Sequence, residues 1–427
     1  MDHMFCWGKF TNLDLSSFET TNVELMNSMF YGCQKLISLD LTNFDTKNVI
    51  NFSLMFSTCF ELKNLNIHSF VTSHGTDFSN MFTLCRNLTS LDLKNFDTSK
   101  ATSFTGMLQY SYGLENLDIS NFDTSKVKDM SFMFSNLKSL KSLNVKSFDT
   151  KNVESMIEMF ANLETITFLD LSSFDTKNVK SMHSLFRNCF SLTSVSLSNF
   201  NTRKIVYMYR FFDSCYSLIS VDISNFNTDL VTDYSYMFQN CYSLTSIDLS
   251  KFNGTKANSM TGMFSGCTSL KSLDLSKFNT KSVNQLADMF RNCTSLENIY
   301  FSHNFKTEGL LYTYNMFSNC YSLKSLDLSS FNTSNCRNFD DMFNNCTSIT
   351  SLNIQNFGTS MASSLEKMFY HCPSLTSLSL PNFITNQVSS SLNYVFEGCN
   401  NLVLSIKKSL CSNLVYYIPE YFHIIDL

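Results

Sequence analysis

A chain of 427 residues would ordinarily make two or three domains of about 150 residues each. Only 16% of its residues are charged, glycine numbers 11 and proline 3, yet 44% are hydrophobic and 42 are Phe. Those values exclude collagen-like, linker-rich and disordered chains, because there is ample apolar surface to offset ordering entropy. The 31 Lys and Arg against 36 Asp and Glu leave a net charge of -5, with no basic excess for a nucleic-acid partner. No stretch of about 18 uncharged apolar residues is present to span a membrane. The opening Met1-Asp2-His3-Met4-Phe5 lacks the charged and apolar regions of a signal peptide.

Internal repetition dominates the chain. A Phe recurs every 26 residues from Phe18, Phe44 and Phe70 through to Phe278. It continues at Phe305, Phe331, Phe357 and Phe383 after a single step of 27. Met-Phe pairs such as Met29-Phe30 and Met263-Phe264 keep the same register. The consensus is M-F-x-x-C-x-S-L-x-S-L-D-L-S-x-F-[DN]-T-x-x-V-x-x-M-x-x, numbered here 1 to 26 from the Met. A period this short suits a solenoid, in which stacked neighbours bury each unit's apolar face.

Taken along one repeat, positions 10 to 14 alternate polar and apolar, as in Ser38-Leu39-Asp40-Leu41-Thr42, which predicts a half-buried strand. The Phe at position 16 anchors a turn. Thr at position 18, in every copy but the one holding Gly254, stands where a helix N-cap belongs. Apolar residues then follow at helical spacing, as in Val153, Met156, Met159 and Phe160, and predict a short helical turn as the return. Near Tyr300 the 27-residue step should be a bulge, with Tyr300 outward and Phe301 inward. After Cys399 the repeat ends; Leu402 to Ile406 could add a strand, and 415–427 is apolar enough to close the stack.

Segments such as Met263-Phe-Ser-Gly-Cys-Thr-Ser-Leu-Lys-Ser-Leu-Asp-Leu-Ser-Lys-Phe-Asn-Thr280 resemble the leucine-rich repeats of BspA-like surface proteins of bacteria and protists. The expected fold is therefore an α/β leucine-rich-repeat solenoid of about 15 repeats, with one strand and one short helical turn in each. It should be curved, because packed helices need more room than strands. The expected domains are the solenoid over 1–399 and a C-terminal cap over 400–427. The resemblance implies a non-enzymatic protein at the cell surface or outside the cell, binding a protein or glycan partner in adhesion or host interaction. A cytoplasmic location is the alternative. The chain begins inside a repeat, at Met4-Phe5, and reads as a fragment. A structural spacer or self-associating element is the second functional reading, and an ice-binding face on the Thr row a third. Oligomeric state is not legible.

Candidate sites follow from the recurring residues. Of 15 Cys, most stand at position 5, with Cys6, Cys336 and Cys411 elsewhere. Without a C-x-x-C pair they imply no metal site. Ser111, Leu137 and Leu163 in the same slot favour a reduced, buried ladder over disulfides. The seven His form no catalytic or metal-binding motif, and no cofactor is implied. Two surfaces are candidates for binding. One is an acidic row on the strand face, Asp222, Asp248 and Asp274, continued by Tyr300. Carboxylates about 5 Å apart on successive rungs should repel, raising at least one pKa unless the flanking Ser oppose it. The other is an aromatic patch of Tyr207, Tyr209, Tyr216 and Tyr242, with Tyr234 and Tyr236 nearby.

Overall fold

The computed structural model describes residues 1–281, 283–386, 388, 392–400 and 402–427. They form two compact units, Met1–Ile205 and Val206–Leu427, each a β-solenoid whose turns stack in parallel. In the first unit β1 (Ser38–Asp40) pairs with β2 (Asn64–Asn66), and β3 (Phe168–Asp170) with β4 (Ser194–Ser196). The second unit holds β5 (Ser272–Leu275), β6 (Asn298–Phe301), β7 (Ser325–Asp327), β8 (Ser351–Asn353) and β9 (Ser377–Leu380). Each pairing joins equivalent positions of adjacent repeats, as Leu39 with Leu65 and Asp274 with Tyr300. The strand reading of positions 10 to 13 therefore holds: Leu39 and Leu41 face the core, and the Ser and Asp around them face outward.

The return is not helical. Among the described residues the helices are two 3-10 turns, Lys408–Leu410 and Leu414–Tyr417, both beyond the repeats. What replaces the helix is a run of reverse turns whose amides alternate between two directions. Met26, Ser28, Phe30 and Gly32 donate to the carbonyls of Asn51, Ser53, Met55 and Ser57 in the next repeat, at 3.2, 2.9, 2.9 and 2.9 Å. Met29, Tyr31 and Cys33, between them, donate three residues back to Met26, Ser28 and Phe30. Every amide from Met26 to Cys33 except that of Asn27 is accounted for in this way, as buried backbone requires. The segment begins at a second parallel ladder of single bridges at position 23, for example Asn51 to Asp77 to Ser103.

Two residues per turn enter the left-handed region to make this possible. Positions 26 and 4 do so in Ser28 (φ 54°) and Gly32 (φ 73°), and again in Tyr236 (φ 59°) and Asn240 (φ 56°). Consecutive reverse turns place residues i, i+3, i+4 and i+7 on one side, as a helix does. Met26, Met29, Phe30 and Cys33 accordingly all lie fully buried. The apolar spacing was common to both conformations, and the misassignment came from that degeneracy. The reason to expect curvature goes with the helix, since both ladders of each turn have β spacing.

The core of each unit is a set of columns. Phe30, Phe56 and Phe82 at position 2 stack nearly parallel, with centroids 5.6 Å apart at each step. In the second unit Phe343, Phe369 and Phe396 do the same at 5.5 Å. After the last repeat, β10 (Val403–Ile406) pairs parallel with β9, and β11 (His423–Asp426) with β10. Leu404, Ile406, Leu414 and Phe422 are buried there, and Phe422 meets Phe396 edge-on at 6.1 Å.

Candidate functional site

The repeated polar residues divide into those consumed by stacking and those left outward. The Thr row belongs to the first group. Thr150 Oγ1 donates to the Asp175 carbonyl at 3.1 Å and accepts the Asp175 amide at 2.8 Å. Thr46 treats Val71 alike, and Thr307 treats Asn332 alike. These hydroxyls cap no helix; they tie each turn to the next. Thr46, Thr176 and Thr307 are fully buried, so the row offers no face to ice.

The Cys column has a similar role. Cys59, Cys85 and Cys189 point Sγ at the carbonyls of Phe30, Phe56 and Phe160 in the preceding repeat, at 3.2, 3.2 and 3.0 Å. Ser111 makes the same bond to Phe82 at 2.7 Å, which explains its place in the slot. No disulfide joins the cysteines among the described residues, and Cys6 alone of them is not buried. Burial pushes Cys85 and Cys189 up to about 12, so they stay protonated.

The acidic row is engaged on one side. Asp222, Asp248 and Asp274 each accept, through Oδ1, the amide of the Ser two residues on, at 3.0, 2.8 and 2.7 Å. Their pKa values are lowered, not raised. The Ser hydroxyl and amide hold the charged form, and Asp222 acts on Asp248 only as the weakest influence. Repulsion between exposed carboxylates loses to two short hydrogen bonds because water screens the first and not the second. Tyr300 continues the row opposite Asp274 and is 57% exposed. Phe301 turns inward against Phe305 and Phe331, only partly buried, and Ser302 closes the following turn with Phe305.

The aromatic patch resolves into pairs. Tyr216 and Tyr242 stack at 4.8 Å, and Tyr207 meets Tyr209 edge-on at 6.5 Å. Tyr207 and Tyr242 are exposed, while Tyr209 and Tyr216 are half-buried. Tyr234 does not belong with them: it is fully buried, its hydroxyl donating to the Asn253 carbonyl at 3.0 Å. Tyr236 lies beneath Arg210, whose guanidinium carbon is 5.1 Å from the ring centre.

Sequence reasoning missed one surface. At position 6 of the first unit, Arg86 lies 4.5 Å from the Phe60 ring and 5.8 Å from Tyr112. Lys138 follows, 5.5 Å from Tyr112 and 2.7 Å from Glu164. The alternation of aromatic and cation at 26-residue spacing was present in the sequence and was the signal to read. The histidines stay scattered: His68 contacts Asn66, and His74 the Lys47 carbonyl. Among the described residues no group of His, Cys, Asp and Glu is arranged to hold a metal, and no helix is long and apolar enough to cross a membrane.

A family described as "Mycoplasma protein of unknown function, DUF285" matches residues 1–115, 76–194, 113–218, 190–302 and 297–409. The chain belongs to this family. Solved structures similar to this DUF285 protein include leucine-rich-repeat proteins. One, from Bacteroides ovatus, has 16% identity and a TM-score of 0.43, over 97% of this chain and 94% of that one. A leucine-rich cell-surface protein of Faecalibacterium prausnitzii has 18% identity and a TM-score of 0.38, over 82% and 81%. A third, from Eubacterium ventriosum, has 12% identity and a TM-score of 0.39, over 78% and 87%. No curated protein matches the chain.

Proposed function

We propose that this DUF285 protein is a non-enzymatic binding scaffold, displayed at a cell surface, that engages a protein or glycan partner through the outward residues of its turns. The observation that carries the reading is the division of labour within the repeat. Thr and Cys are spent on stacking and the Oδ1 atoms of the Asp row on the turn that follows, whereas exposed aromatics stand at the variable positions 6 and 23 and in the long repeat. Tyr207, Tyr242 and Tyr300 are 52%, 41% and 57% exposed. Tyrosine combines apolar area with a polar tip and is enriched at interfaces. The acidic row offers its outer carboxylate oxygens beside Tyr300 and suits a hydroxylated or cationic group. Surface display rests on the resemblance of the consensus to BspA-like repeats.

The test is a binding screen of the purified chain against a glycan array and a panel of extracellular proteins. It is then repeated with Tyr207→Ser, Tyr242→Ser and Tyr300→Ser combined. A ligand whose binding falls at least about tenfold in the variant, with unchanged melting, supports the reading. Binding that survives both this variant and Asp222→Asn/Asp248→Asn/Asp274→Asn would move the site elsewhere. No ligand at all, with self-association of the chain, would favour the spacer role.

A further inference from the structure

The second unit breaks its own pattern twice. Gly254 replaces the stacking Thr. Two repeats later, the extra residue of the 27-residue step enters between Phe301 and Phe305. On either side of that step lie two open hollows. The larger, about 560 Å³, is lined by Thr255, Asn279, Thr280, Lys281, Asn304, Lys306 and Glu308. The smaller, about 370 Å³, takes in Ser276, Lys277 and His303 and shares Asn279 and Asn304 as its wall.

Those two asparagines are released from duties that their equivalents perform. At position 15, Asn43 and Asn121 use Nδ2 to clamp carbonyls of the preceding turn, Leu15 and Leu93, at 2.9 and 3.1 Å. Asn304 occupies this position in the long repeat and has no such bond among the described residues. At position 17, Asp45 and Asn253 accept the amide two residues on. Asn279 instead accepts the Ser302 hydroxyl at 2.9 Å through Oδ1, and its Nδ2 has no acceptor among the described residues.

Charge points the same way. The chain carries -5 overall, but residues 251–310 contain seven Lys and Arg against four Asp and Glu. Some lysines elsewhere are paired, as Lys141 with Glu115 and Lys180 with Glu154. Lys277, Lys281 and Lys306 make no ion pair among the described residues, although Glu308 lines the larger hollow. Lysine ammonium and asparagine amide are donors, and hollows lined by them call for a ligand rich in acceptor oxygens and negative charge.

We propose that these two hollows form a binding site for an anionic saccharide, sulfated or carboxylated, whose acid groups meet Lys277, Lys281 and Lys306 while Asn279 and Asn304 donate to its oxygens. This names a ligand class and a site within the binding role above, and it stands apart from the tyrosine pairs. The experiment measures binding of the full chain to immobilised dextran sulfate, to unsulfated dextran and to poly-glutamate at several salt concentrations. Wild type should bind dextran sulfate, more weakly as salt rises, and bind dextran not at all. Lys281→Ala/Lys306→Ala should lose about tenfold or more in affinity. Asn304→Asp, an exposed change that keeps the side chain's size, should weaken binding as well. Lys126→Ala/Lys128→Ala in the first unit removes the same charge and should leave binding nearly intact. Equal loss in that control, no binding by the wild type, or preference for poly-glutamate would overturn the proposal. If dextran sulfate binding fails while a partner found in the screen still depends on the tyrosines, the scaffold reading survives and this site does not.

Discussion

Thr150 holds a carbonyl and an amide of the next turn that have no other partner among the described residues. Thr150→Val keeps the shape and deletes both bonds. It should cost about 2 kcal/mol, since unsatisfied buried groups cost about 1–3 kcal/mol each while the wild-type bonds are partly offset by hydration of the unfolded chain. Thr150→Ser retains the hydroxyl and should cost less than half of that. Urea unfolding of the two variants side by side measures the difference, and equal losses would mean that the methyl packing, not the hydroxyl, matters. Asp170 governs the acid response at the same scale. Ser172 and Lys146 hold its carboxyl down at about 2, below its ordinary 3.8. Asp118, Asp222 and Asp274 are lowered in the same sense. A depressed folded pKa contributes stability above the unfolded value and loses it as pH falls through the folded one. Acidification from pH 4 toward 2 should therefore destabilise the chain, the reverse of what mutual repulsion in the acidic row would produce. Asp170→Asn keeps an acceptor for the Ser172 amide and should flatten that part of the profile in melts recorded from pH 5 to 2.

At the scale of the element, the return depends on its left-handed residues. Gly266 has φ 78°, and a Cβ there would lie 2.5 Å from Asn240 Oδ1. Gly266→Ala should cost about 1–3 kcal/mol, from the backbone conformation together with that contact. Asn292 holds the equivalent position at φ 60°. Asn292→Gly should cost less than Gly266→Ala, because the left-handed conformation suits glycine and the loss is confined to the bond that Asn292 Oδ1 accepts from Asn319 Nδ2 at 2.8 Å. Were the return a helix, the order would invert, with glycine the worse helix former. Thermal melts of the two variants decide between these descriptions of the segment.

At the scale of the whole molecule, each turn contacts its neighbours and little else, so damage should stay local. Phe226 packs against Phe252 at 6.5 Å and Phe211 at 5.8 Å. Phe226→Ala should cost about 3–5 kcal/mol. Faster amide exchange should appear in the repeats bearing Phe200, Phe226 and Phe252 and fade beyond them. A uniform rise along both units would show cooperativity that nearest-neighbour stacking does not provide. The Cys column should respond in the same local way, its thiols reacting only where turns have opened.

Periodicity settled the solenoid, the 26-residue turn, the strand at positions 10 to 13 and the core columns of Phe, Met and Cys. It could do so because burial imposes the same apolar residue at the same place in every copy, and repetition multiplies that signal. The outward setting of Tyr300 followed from counting alone. What periodicity could not settle was the conformation of the return, because reverse turns and a helix bury the same i, i+3, i+4, i+7 set. The glycines and asparagines at positions 4 and 26, such as Gly32, Asn136, Asn240 and Gly262, held that information. Position 4 is Asn or Gly in most copies, among them Asn162, Asn188, Asn292, Asn319, Asn345, Gly266 and Gly398, but it was written as a variable position because two residue types share it and the rest differ. The partners of polar groups also lay beyond the sequence. Whether Thr caps a helix or bridges two turns, and whether Tyr234 faces solvent or core, depend on distances across adjacent turns. Those distances exist only once the turns are stacked, because the bonds of Thr150 to Asp175 and of Tyr234 to Asn253 join atoms 25 and 19 residues apart in the chain and one rung apart in space.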